Sequence, residues 1–197
     1  MSMDTATDRV AQTATPILPV LAERWSPRSF VADEAIDEQK LTAALEAARW
    51  SSSAANTQPW RFIVARRGSE SFARIVSSLK GFNSVWADAA GALVVAAYEV
   101  TGPEGEARPW AQYDLGQAMA HFSVQAHGSG LHVHTMGGFD ADALAETFAL
   151  PENIRPLTVT AVGALAPAER LADEALIARE SAPRVRRPLS EIVLVDE

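Results

Sequence analysis

The stretch LTAALEAARWSSSAANTQPWRFIVAR, residues 41–66, decides the class of fold because the spacing of its apolar residues changes period part-way along. Leu41, Leu45 and Ala48 recur at the spacing of one helix face, with Asp37 ahead of them as an N-cap. After Trp50 the run SSSAANTQP breaks the pattern. WRFIVAR (60–66) then alternates like a strand, is rich in β-formers, and is closed by Arg66-Arg67-Gly68. A helix, a loop and a strand therefore follow one another within a few turns of chain.

The same mixture continues outward from this stretch. SFARIVSSL (71–79) reads as a short helix and ALVVAAY (92–98) as a buried strand. Pro109 suits the first turn of the longest helix, which runs to His127 with Leu115, Met119, Phe122 and Ala126 on one stripe. Its other faces carry Ala111, Gly116, Ala118 and Ala120, so it is surrounded either by a second subunit or by the rest of one monomer. LHVHTM (131–136) reads as a strand, Gly137-Gly138 as a turn, and Asp140 as the cap of a helix carrying Leu144 and Phe148. LTVTAVGALA (157–166) is the clearest strand. DEALIAR (173–179) is helix-like, and Pro183, an arginine cluster and PLSEIVLV (188–195) follow. Helices and strands intersperse without a strict βαβ rhythm, and neither a GxGxxG nor a P-loop follows a strand. The expectation is a three-layer α+β domain over residues 17–197, preceded by a mobile polar tail over residues 1–16.

Composition narrows the chemistry. With 197 residues the chain makes one domain, and no cysteine is present to supply disulfides, thiolate metal sites or a cysteine nucleophile. Redox chemistry would have to come from a bound cofactor. The net charge of −8 disfavours nucleic acid, and the lack of a long apolar run predicts a soluble, cytoplasmic protein with no membrane partner. Against this acidic background Arg24 and Arg28 are bunched, as are Arg184, Arg186 and Arg187. Such bunches either bind an anion or sit on a solvated surface with local Asp and Glu partners. His132 and His134 share a strand face, but no third ligand is evident, so no metal site is assigned. The serines of SSSAAN lack the glycine context of a nucleophile elbow.

Four segments, in order, resemble the signatures of FMN-dependent nitroreductases: ERWSPRSF (23–30), ARWSSSAANTQPWRFIV (48–64), MGGFD (136–140) and RESAPRVRRPLSEIV (179–193). The resemblance implies a central, mainly antiparallel sheet flanked by helices, paired as an intertwined homodimer with FMN at the interface. It implies that Arg24, Arg184 and Arg186 hold the FMN phosphate, that Ser26 touches the ribityl chain, and that Arg28 lies near the N1 and O2 edge of the flavin. Ser53 and Asn56 would reach the flavin of the opposite subunit. Met136 would pack on a ring face, Gly137 and Gly138 would bring backbone amides towards N5 and O4, and Asn83 would make a polar contact to the ribityl or pyrimidine part. Ser52 stands where many relatives have proline, and Gly137 leaves the N5 region open.

The implied reaction is ping-pong transfer of electrons from NADH or NADPH to a nitroaromatic, quinone or similar small acceptor. No side chain is named as acid or base. The alternative that the same motifs allow is a flavin-binding or flavin-storage protein with little turnover, since each motif argues for binding FMN.

Overall fold

In the computed structural model, which describes residues 9–197, the change of period after Trp50 becomes a helix packed on a sheet. Helix α2 (Glu38–Arg49) starts at Asp37, whose carboxylate accepts from the amides of Gln39 and Lys40. Its buried residues are Leu41, Ala44 and Ala48. Strand β1 (Trp60–Arg66) lies antiparallel to β2 (Ala92–Glu99), from Trp60 opposite Tyr98 to Arg66 opposite Ala92. Strands β3 (His132–Met136) and β4 (Ile154–Gly163) complete a sheet of order β1-β2-β4-β3 in which all neighbours are antiparallel.

Alternation along each strand sorts the core into two layers. Ala92, Val94, Ala96, Val133 and Val162 pack with α2 and with the long helix α5 (Ala111–Gly128). Leu93, Val95, Val159, Ala161 and Met136 pack on the opposite face. That second layer contains α3 (Glu70–Ser78), α4 (Asn83–Trp86), α6 (Ala141–Thr147) and α7 (Glu174–Ser181). The three-layer α+β arrangement matches the expectation, and β2 is buried along most of its length because helices cover both faces.

Two boundaries differ from the sequence reading. Strand β4 begins at Ile154, three residues before the expected Leu157, because Pro156 falls at a register shift opposite Ala97, where a missing amide proton is tolerated. Beyond Gly163 the chain leaves the sheet and pairs with the segment Ser29–Val31. There the Val31 amide donates to Ala164 O (3.0 Å) and the Ala166 amide to Ser29 O (3.1 Å). This pairing, with the short helix α1 (Pro19–Glu23) before it, fixes where ERWSPRSF lies.

The expected mobile tail is in part anchored. Residues 1–8 of it lie outside the described residues, but Arg9 sits 4.1 Å above the ring of Trp25 and donates to Ala182 O, and the Ala11 amide donates to Ala22 O. A guanidinium gains both a ring face and a carbonyl there, which outweighs the polar composition. Among the described residues no helix is long and apolar enough to cross a membrane.

Candidate cofactor site

The site is built from two ends of the chain and one edge of the sheet. Arg24 directly follows α1, and Arg184 and Arg186 follow α7. Burial and then the charge of Arg186 hold Arg24 below its ordinary pKa. Arg184 is lowered by burial and then by Arg24, Arg186 and Arg9. Arg24 therefore lies within electrostatic reach of Arg186, and Arg184 within reach of Arg24, Arg186 and Arg9. Arg184 Nη1 donates to Arg9 O (2.6 Å) and Ala22 O (2.5 Å), which lashes the C-terminal segment beside Arg24. Arg186 is exposed and its Nη1 reaches only the carbonyl of Val185.

Among the described residues no carboxylate lies within ion-pair distance of Arg24, Arg184 or Arg186. Arg24 Nε is buried and has no hydrogen-bond acceptor among them. Partly desolvated like charges held together without a counter-charge suit a multiply charged anion. His127, near the end of α5, joins the group: burial lowers its pKa, Glu23 at 3.9 Å raises it, and Arg24 and Arg184 lower it again.

From this cationic end the site runs along β3. The rings of His127 and His132 are 5.5 Å apart, and the strand from His132 to Met136 covers about 13 Å. Arg24 and Ser26 line a cleft of about 450 Å³ with Val133, Thr135 and Thr158 of the sheet and Leu115, Gly116 and Met119 of α5. The loop over β3 is held by His134, whose Nδ1 lies 2.9 Å from Pro27 O. Burial drives both His132 and His134 down to about 4, so His134 is neutral and its Nδ1 proton is the one donated to that carbonyl.

Beyond β3 the chain reaches Gly137 and Gly138. The carbonyl of Gly138 accepts from the amide of Lys80 (2.9 Å) and from Asn83 Nδ2 (3.2 Å). A Cβ at Gly138 would come within 2.8 Å of that Asn83 nitrogen, whereas a Cβ at Gly137 would meet nothing within 4 Å. A side chain at Gly138 would therefore displace the Asn83 amide, whereas Gly137 leaves an open edge.

Other expected residues lie differently. Met136 is only 2% exposed and belongs to the core on the α3 and α6 face, because strand alternation turns it away from Thr135 and the cleft. Ser53 and Asn56 are remote from the arginines within one chain. The Ala54 amide donates to Asp114 Oδ2 (3.1 Å) at the start of α5, while His127 is near its end, about 20 Å away along the helix. The Ser53 hydroxyl accepts from the Gln58 amide, and Ala55, Asn56 and Gln58 all have positive φ, so the loop is a strained, preformed projection.

Sequence reasoning missed Glu180 and Asp114. Glu180 is 3% exposed; its Oε1 accepts from the amides of Arg28 (2.8 Å) and Ser29 (3.1 Å), and its Oε2 is 3.6 Å from Arg28 Nη1. Asp114, also 3% exposed, holds the Ser53 loop. Each lies four residues from an apolar position of its helix, Leu176 and Ala118 respectively, and an acid inside an apolar stripe is the signal that would have found them.

A model of the Nitroreductase family matches residues 21–164, which run from within α1 through β4 and include Arg24, Ser26, Arg28, Asn83 and the Gly137-Gly138 turn. The chain belongs to the nitroreductase family. Among curated relatives it is 38% identical over 143 residues to an uncharacterized 15.4 kDa protein of Mycolicibacterium smegmatis, covering 67% of this chain and 92% of that one. Among solved structures it is similar to an oxidoreductase containing FMN, with 31% identity, 93% of each chain covered and a TM-score of 0.87. A Desulfovibrio desulfuricans protein solved in complex with FMN shares the fold at a TM-score of 0.75, with 23% identity and 94% and 99% of the two chains covered. In this nitroreductase Arg24, Arg184 and Arg186 lie within electrostatic reach of one another, Asn83 meets Gly138, and the Ser53 loop stands apart from the arginines.

Proposed function

We propose that this nitroreductase is a homodimeric, FMN-dependent oxidoreductase of the cytoplasm that takes electrons from NADH or NADPH and passes them to a small acceptor such as a nitroaromatic or quinone. The single observation that carries this reading is the meeting of Arg24, Arg184 and Arg186, from the two ends of the chain, with no carboxylate among the described residues to neutralise them. An FMN phosphate carries close to two negative charges and fills that role, with Arg24 Nε as one of its donors. Ser26 then faces the ribityl chain in the cleft, and Arg28, Asn83, Gly137 and Gly138 border the isoalloxazine at the far end of β3. Bound there, the flavin supplies hydride acceptance at N5 and electron transfer to the acceptor. The open edge at Gly137 admits donor and acceptor in turn.

The dimer is supported by what one chain leaves uncovered. Trp110 and Tyr113 at the start of α5 are 63% and 66% exposed, and Leu189, Ile192, Val193, Leu194 and Val195 form an exposed apolar strip near the C-terminus. Burying such surface favours association. A second copy would also bring its Ser53 and Asn56 loop to the flavin that the arginines hold, a contact that one chain cannot make with its own site.

Purified protein reconstituted with FMN should be yellow, and NADH or NADPH added without oxygen should bleach it, with colour returning on addition of a quinone. Protein that stays colourless defeats the FMN assignment. Colour that neither nucleotide bleaches defeats the reductase and leaves flavin storage in its place.

A further inference from the structure

Glu180 lies against Arg28 and has no part in the flavin contacts proposed for this site. Glu180 is the buried carboxylate in the last turn of α7, and four residues later the chain delivers Arg184 to the cationic end of the site. One oxygen takes both the Arg28 and Ser29 amides, and the other faces the Arg28 guanidinium at 3.6 Å. Arg9, held over Trp25, is a second cation whose charge this carboxylate offsets. The Ser29 hydroxyl donates to Pro167 O (2.6 Å), so the backbone that Glu180 grips is pinned from the other side as well. Burying a carboxylate at 3% exposure is costly, and here the Arg28 and Ser29 amides engage one oxygen, while the other has only the Arg28 guanidinium at 3.6 Å and no hydrogen bond among the described residues.

We propose that Glu180 is a positioning residue with two separable jobs, an inference that rests on FMN being the ligand. Its hydrogen bonds set the register of the segment Arg24–Arg28 against α7, so that Arg24 and Arg28 fall at opposite ends of one bound molecule. Its charge offsets the guanidinium of Arg28 and so limits how strongly Arg28 favours the anionic reduced flavin. The surrounding residues show why one side chain serves both ends. α7 carries Glu180 against Arg28 and then feeds Arg184 onto Ala22 and Arg9, next to Arg24.

The two jobs come apart in two variants. Glu180→Gln keeps an oxygen for both amides and removes the charge. Glu180→Ala removes both. Amide hydrogen exchange, measured on flavin-free protein, should show Arg28 and Ser29 exchanging at least tenfold faster in Glu180→Ala and near the wild-type rate in Glu180→Gln. Equal protection in all three proteins would overturn the positioning role whether or not flavin binds. With FMN bound, Glu180→Gln should raise the reduced-to-oxidised affinity ratio about tenfold, seen as a midpoint potential about 30 mV more positive for the two-electron couple. Ser29→Ala, which loosens the same backbone without changing charge, should leave the potential in place. An unchanged potential in Glu180→Gln with FMN bound overturns the charge role. Failure of the wild type itself to bind FMN would strike the ligand assignment, while the exchange result would still decide whether Glu180 positions the motif.

Discussion

Two clusters of arginine in this molecule are handled in opposite ways. Arg61 and Arg108 converge on Glu99, at 2.5 Å and 2.6 Å, and Arg108 also donates to Thr57 O, so their charge is spent on holding β1, β2 and the strained loop together. Arg24, Arg184 and Arg186 lie within electrostatic reach of one another, with Arg186 lowering Arg24 and both lowering Arg184, yet among the described residues they share no carboxylate. Guanidinium groups that share a carboxylate act as structural parts, whereas groups without a carboxylate partner suit an anion from outside the fold. The contrast also shows that counting arginines says little until their partners are known.

Breaking each cluster should produce different losses. Arg24→Ala is expected to have the largest effect, weakening FMN binding about a hundredfold, since charge-assisted hydrogen bonds to a phosphate contribute roughly 1.5–3 kcal/mol each. The folded protein should not become less stable, because removing one of three repelling charges relieves strain. Flavin fluorescence titration and thermal unfolding of the same preparation check both halves. Arg108→Ala should do the reverse. Leaving Glu99 without a half-buried partner should cost about 2–3 kcal/mol of stability, while FMN affinity falls far less than in Arg24→Ala.

Acid sharpens the comparison through the histidines that pack the cationic end and the loop over β3. His132 and His134 are held near 4 by burial against an ordinary 6.5, so the folded state prefers them neutral. Their contribution is fully present above pH 6.5 and is lost as pH falls towards 4, by about 1–2 kcal/mol for each at pH 5. Urea unfolding between pH 7.5 and 4.5 should show that decline, and His134→Asn should flatten it. The smallest expected effect is at the glycines. Gly138→Ala should lose roughly 1 kcal/mol as Asn83 is displaced, and Gly137→Ala should be close to neutral for folding while slowing turnover with bulky acceptors.

Much of the fold was legible because its period signals were clean: β1 spans Trp60–Arg66, the segment read as a strand, and α2 starts at the expected Asp37 cap. The start of β4 was hidden by Pro156, whose place in a sheet depends on a register shift with β2 that only pairing reveals. In the site, Arg24, Arg184 and Arg186 could be read from motifs at the two ends of the chain. Glu180 gave a weaker signal, its position four residues after Leu176 on one helix face, because in the run ARES a lone acid reads as solvated surface until α7 docks and buries it. Met136 is the opposite case, since strand alternation, already implied by LHVHTM, places it in the core on the α3 and α6 face.

The central claim is that the converging arginines bind through a phosphate, and the most direct measurement is the affinity of the apoprotein for FMN against riboflavin, which has the same ring and ribityl chain without that phosphate. FMN should bind at least a hundredfold more tightly, and its advantage should shrink as salt is raised or when Arg24 is replaced. Equal affinities for the two flavins, independent of salt, would contradict it.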